Sequence, residues 1–300
     1  MEVAVNYSPA AEDLVRRGRA CIDRFKCPAW PDLVATVKER YPVYVHFPLQ
    51  VGSGIGDATA GGRPADWAQV DRLLAETGTP LVNLHLSLDH TGTPDDLGES
   101  VGLESEPTPV PAEELVEHLI RDVSAVVGRF GADQVALEND HDFGGWRPRA
   151  AILPRVVRRV VEATDCGLVL DLAHARLAAD SLGEEVGQYV QALPIERLRE
   201  LHVSGVQRLE GRWLSRVRRA VDEGDAAERL FGRPADHLPM TGPDWELLRW
   251  AMAQIHSGAW PQPWVVTFEY GGTGPLFSAL TDADILAEQM PRVQAMVGGD

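Results

Sequence analysis

Eight short β-rich runs alternate with longer amphipathic stretches along the chain, and this alternation constrains the fold more than any other feature. The runs are Val3–Tyr7, Ile22–Cys27, Val43–Phe47, Leu81–Ser87, Gln134–Asn139, Gly167–Leu172, Leu198–Gly205 and Trp264–Tyr270. Helical periodicity is expected near 9–19, 31–40, 64–77, 111–129, 149–165, 183–193, 243–256 and 281–297, as in Leu115, Leu119, Val123 and Val126. Strand alternating with helix implies parallel strands joined by right-handed crossovers. Eight such units in 300 residues match a single (β/α)₈ TIM barrel spanning 1–300. An open doubly wound sheet is the competitor, but no G-x-G-x-x-G follows the first strand.

Three insertions interrupt the rhythm: the glycine-rich Gly52–Pro64, the acidic Leu88–Pro111, and Val206–Pro243. They follow strands three, four and seven, so all three fall on one face of a barrel. Long loops collected on one face point to function. Gly52-Ser53-Gly54-Ile55-Gly56 resembles a phosphate cradle, but no Lys-Ser/Thr follows, and a flexible lid is the simpler expectation.

Composition removes several classes. The formal net charge of −17 argues against wrapping nucleic acid, so DNA is not the expected partner. No apolar run approaches the ~18 residues of a membrane span, and the N-terminal residues lack a secretory pattern. Cys21, Cys27 and Cys166 are odd in number with no C-x-x-C, as suits reduced thiols in the cytoplasm.

The chemistry sits at the expected C-terminal strand ends, where barrel active sites are assembled. Those ends carry His46, His85, Glu138, Asp171 with His174, His202, and Glu269; the loop after strand seven adds Asp236 and His237. Any one of them has an ordinary explanation as a hydrogen-bonded rim residue or a helix cap. Six of eight strands ending in His, Asp or Glu are harder to explain that way, because converging carboxylates in low dielectric need cations. Two or three divalent metal ions would answer this, with Glu138 and Glu269 as bridges and Glu138, Asp171 and Glu269 as the catalytic carboxylates. Imidazole and carboxylate without thiolate suit iron, zinc or manganese. The basic run Arg208–Arg219 on an acidic chain is either a solvated helix face or a patch for an anionic substrate, with Arg212 and Arg216 its candidate contacts. Cys27, beside Lys26, is expected to pack.

Together these motifs resemble the xylose isomerase-like barrel superfamily, in which two branches compete. His46-Phe47-Pro48-Leu49-Gln50-Val51-Gly52, Asn83-Leu84-His85-Leu86-Ser87, Leu137-Glu138-Asn139, Leu198–Gly205 and Asp236-His237-Leu238-Pro239 are similar to the multinuclear non-haem iron oxidative enzymes. That resemblance implies iron, oxidative modification of a peptide residue or a small thiol or amide, and a peptide-recognition partner protein. Asp171-Leu172-Ala173-His174 is closer to endonuclease IV, a trinuclear zinc phosphodiesterase. It keeps a Zn/Mn phosphodiesterase or sugar isomerase or epimerase open, and a non-catalytic barrel remains the third reading. Both families usually space the later Asp and His by one residue, whereas Asp236 and His237 are adjacent.

Overall fold

The computed structural model describes residues 1–86, 112–142, 149–220 and 231–299. The insertion Leu88–Pro111 lies outside them. The fold is the expected barrel. Its strands are β1 (Glu2–Asn6), β2 (Arg24–Pro28), β3 (Val43–His46), β4 (Val82–Leu86), β5 (Val135–Glu138), β6 (Gly167–Asp171), β7 (Leu198–Val203) and β8 (Val265–Phe268). Parallel pairing runs β3-β2-β1-β8-β7-β6-β5-β4.

The ring closes between β3 and β4 through an interrupted strand. Pro48 has no N–H to donate, and the chain resumes pairing at Gln50–Val51, parallel to β4. Side chains replace the missing ladder. Phe47 N–H donates to Asn83 Oδ1 at 2.7 Å, and Asn83 Nδ2 donates back to Phe47 O at 2.9 Å. Asn139 does the same between β5 and β6, accepting from Asp171 N–H at 2.8 Å and donating to Asp171 O at 3.0 Å.

Alternation along each strand sorts side chains into two shells. Val5, Phe25, Cys27, Val45, Leu84, Leu137, Leu170, Leu201, Val203 and Phe268 point out into the main core under the helices. Each large buried side chain of that kind contributes about 1.5–3 kcal/mol. The opposite parity points into the barrel. Its middle is apolar, with Ala4, Tyr44 and Val265 on one side and Leu81, Ala136 and Val169 on the other, both packed on Trp264. Polar groups occupy the top, so stability comes from the outer shell and the upper interior is left for chemistry.

Helices surround this ring, with local signals explaining their ends. Asp66 accepts from Gln69 N–H at the start of Trp67–Thr77, and Gly78 ends it in the left-handed region. Thr241 and Asp244 form a capping box for Gly242–His256. The helices Leu172–Leu182, Gly211–Ala220 and Pro275–Leu280 lie outside the expected helical stretches; the first follows β6 directly because the Asp171 carboxylate accepts from His174 N–H. His174 is therefore a first-turn helical residue, not a strand residue. No helix among the described residues is long and apolar enough to cross a membrane.

Candidate metal centre

Strand register brings the candidate ligands level. His85 pairs with Glu138 across β4 and β5, and His202 with Asp171 across β6 and β7. Glu138 lies at the centre, 3% exposed. His46 Nε2 and His85 Nδ1 lie 3.4 and 3.3 Å from its Oε2, and His202 Nδ1 lies 3.2 Å from its Oε1. Burial alone would raise this carboxyl, but the imidazoles of His202, His85 and His46 hold it well below the usual carboxylate range. His46 is itself pushed well down, by burial and then by Lys26, which keeps its imidazole neutral and able to act as a ligand.

Asp171, His174, Asp236 and His237 form the other side. His174 Nδ1–H donates to Asn139 O at 2.9 Å, which turns Nε2 toward Asp236 Oδ2 at 3.0 Å. A backbone carbonyl fixing one ring nitrogen so that the other faces a ligand site is the usual arrangement around bound metals. Asp236 is held below its ordinary value by His237, His174 and His141 despite burial.

Adjacent residues on a strand face opposite ways, yet Asp236 and His237 both face the centre. The structure explains this. They lie on a short strand, Pro234–Leu238, antiparallel to Gly205–Arg208, and not in an irregular loop. Between Gly205↔Leu238 and Gln207↔Ala235 the register slips by one residue, and His237 takes a left-handed φ of 52°. This bulge re-aims the second side chain. His237 Nδ1–H then donates to Glu269 O at 2.7 Å, leaving Nε2 3.8 Å from Glu269 Oε2.

Further residues join the site beyond those the motifs identified. Lys26 is 8% exposed and ion-pairs with Glu269. Burial lowers it from the ordinary lysine value against the pull of Glu138, Glu200, Asp171 and Asp236. Glu200, one layer below, accepts from His202 Nε2–H at 2.7 Å and from the Tyr44 hydroxyl at 2.9 Å. That fixes the His202 tautomer with Nδ1 toward the centre. Asp140 and His141 approach His174, with the two rings 4.9 Å apart. Lys26 and Glu200 were legible in principle, since they share strand parity with interior neighbours; Asp140 and His141, beyond the end of β5, carried no periodic signal.

The basic run behaves differently. Helix Gly211–Ala220 carries it, and Arg216 donates to Asp282 Oδ2 at 2.8 Å and Thr281 O at 3.2 Å. Arg212 is exposed and lies over the Trp213 ring at 4.3 Å. Cys27 is buried in the outer shell, and burial pushes its thiol up to about 12.

The donor set fits divalent ions. His46, His85 and Glu138; Glu138, Asp171 and His174; and Asp171, His202 and Glu269 each bring three donor atoms within 4.8 Å of one another. The buried side-chain atoms without a hydrogen-bond partner among the described residues are His46 Nδ1, Glu138 Oε2 and Asp171 Oδ2, all inside this set.

A family model described as the RiPP precursor modification enzyme MbnB/TglH/ChrH matches residues 26–227. Asp236, His237 and Glu269 lie beyond the matched stretch. A UPF0276 protein of Paraburkholderia phytofirmans is 25% identical over 177 residues, covering 57% of this chain and 52% of that protein. One from an Anaeromyxobacter species is 32% identical over 151 residues, covering 45% and 51%. The chain thus spans about half the length of these curated relatives. Among solved structures, a xylose isomerase domain-containing protein of Salmonella typhimurium LT2 superposes with a TM-score of 0.53 at 14% identity, covering 99% of this chain and 97% of that one. The D-psicose 3-epimerase of Clostridium cellulolyticum H10 gives 0.53 at 13%, covering 100% and 99%. These likenesses establish the barrel and nothing about substrate. With the family model matching well over half of its length, the chain belongs to the MbnB/TglH/ChrH family of RiPP precursor modification enzymes.

Proposed function

We propose that this chain is an iron-dependent oxidative enzyme acting on a residue of a precursor peptide (a ribosomally made, post-translationally modified peptide). Its metals would be held by His46, His85, Glu138, Asp171, His174, His202, Asp236, His237 and Glu269. The observation that carries this reading is the trio of buried, unpartnered donor atoms, His46 Nδ1, Glu138 Oε2 and Asp171 Oδ2. Such carboxylate oxygens are costly in a low dielectric, and a divalent ion offsets that cost. Thiolate is missing from the donor set, which suits ferrous iron with manganese and zinc as competitors. Bound ferrous ions supply one-electron chemistry with O₂ and a Lewis-acid anchor for the reacting side chain.

The chain's own residues do the rest. Glu138 links the His46/His85 side to His202, so it is the shared carboxylate. Glu200 and the Asn139 carbonyl hold His202 and His174 in the tautomers a ligand needs. Asn83, whose amide nitrogen lies 3.0 Å from His46 Nε2, braces β3 against β4 beside the two imidazoles. Arg212 is the member of the basic pair that we assign to an anionic part of the peptide. The single 1–300 domain, action in the cytoplasm with its free cysteines, and delivery of the peptide by a recognition partner belong to the same reading.

One observation favours a second reading. Asp171 and His174 both face the centre, as an Asp-x-x-His pair in a zinc or manganese phosphodiesterase or epimerase would. Oxygen uptake separates the two. Protein prepared without O₂ and loaded with Fe²⁺ is expected to consume O₂ in an oxygen electrode, and the Zn²⁺-loaded protein is not. Iron-loaded protein that consumes no more O₂ than free Fe²⁺ removes the oxidative reading and promotes the hydrolytic one.

A further inference from the structure

The unpartnered donor atoms are unevenly distributed over the centre. Glu138 Oε2 belongs to the position framed by His46, His85 and Glu138, where His46 Nε2 lies 3.4 Å from it. Asp171 Oδ2 lies 3.9 Å from His174 Nε2, on the side of Asp236. A further position is framed by Asp171, His202 and Glu269, and it shares Asp171 with the group Glu138, Asp171 and His174. There the Glu269 carboxylate is already satisfied: its Oε1 contacts the Lys26 ammonium and lies 3.1 Å from His202 Nδ1.

We propose that Lys26 is the resident cation of this position, so that the centre takes two metal ions, held by the remaining donors. This rests on the metal reading above. Lys26 reaches in from β2, a strand that otherwise offers the centre no donor, and a buried lysine persists in such a place when it is paired. Its partner is a carboxylate oxygen of the residue that an ion in this position would need. A metal–carboxylate bond is about 2.0–2.2 Å long, and an ammonium in contact with the same oxygen occupies that space. Its charge also disfavours a divalent ion in that same position. The other positions carry no such occupant. Glu269 keeps a role at one of them through Oε2, which lies on the His237 side.

Elemental analysis of protein reconstituted with Fe²⁺ under anaerobic conditions, with unbound ion removed, reads the answer as ions per chain. The wild type is expected to hold two, Lys26→Arg two, and Lys26→Met, which keeps length without charge, three. Lys26→Gln serves if Lys26→Met does not fold. Three ions or one in the wild type, or two in a folded Lys26→Met or Lys26→Gln chain, overturns the proposal while leaving the metal reading intact. No bound iron in the wild type overturns both. Should neither variant fold, the wild-type number decides, two supporting the proposal and any other number overturning it.

Discussion

Three residues show how single side chains are directed by their surroundings. Asp236 and His237 are adjacent in sequence, and the bulge with His237 at φ 52° gives them a common aim. A non-glycine residue there costs on the order of 1 kcal/mol, a strain of the kind that collects at functional sites. Arg216 shows the reverse. The sequence offered it as a substrate contact, and its guanidinium is engaged by Asp282 and the Thr281 carbonyl. Burial would raise the Asp282 carboxyl, but hydrogen bonding to Arg216 outweighs it and holds the group below its ordinary value. A depressed carboxyl contributes stability that is present above the unfolded pKa and lost as pH falls through the folded one. Arg216→Ala should therefore lower stability by about 1 kcal/mol at neutral pH, measured by urea unfolding. The gap to the wild type should close as pH falls below about 4. A gap independent of pH would mean that the ion pair contributes nothing and the packing on Trp213 is what counts.

At the scale of elements, the glycine-rich run after β3 turned out differently from the flexible lid its composition suggested. It does form a cradle, and the anion inside is the protein's own. Asp122, fully buried on helix Ala112–Phe130, accepts from the N–H groups of Gly52, Gly54 and Gly56 at 2.9, 2.9 and 2.7 Å. Gly54 is required twice over: its φ is +76°, and a Cβ would lie 2.6 Å from His118 Cδ2. Sequence reading saw the donors but had no means of pairing them with a carboxylate 66 to 70 residues away. Hydrogen bonds to a charged acceptor contribute about 1.5–3 kcal/mol each and are not additive when they share it. Asp122→Ala is expected to destabilise the chain by about 2–4 kcal/mol and to expose residues 52–58 to limited proteolysis, with Asp122→Asn recovering part of both. Unchanged stability and unchanged cleavage would mean that the loop holds itself.

For the whole molecule, the barrel was legible because eight strand–helix units leave few alternatives, and the strand-end ligands because barrel sites gather at one rim. What stayed hidden lay inside the barrel or past its strand ends. Lys26 stood out only as a charge in an apolar run, and its direction depends on Phe25 and Cys27 facing outward. Glu200 sits two residues before His202, on the same face, where a carboxylate reads as a strand-edge charge until Tyr44 and His202 are seen to satisfy it. The helix Leu172–Leu182 was missed because Asp171 serves at once as strand end, cap and site residue. Glu138 is the proposed shared carboxylate of the metal centre, and removing one ligand weakens the hold of the others that were arranged around the ion. The most direct test is elemental analysis of Glu138→Ala beside the wild type, both reconstituted with Fe²⁺ without O₂ and both checked for folding by circular dichroism. The variant should remain folded and lose most of its iron; full retention of iron in a folded variant would contradict the central claim.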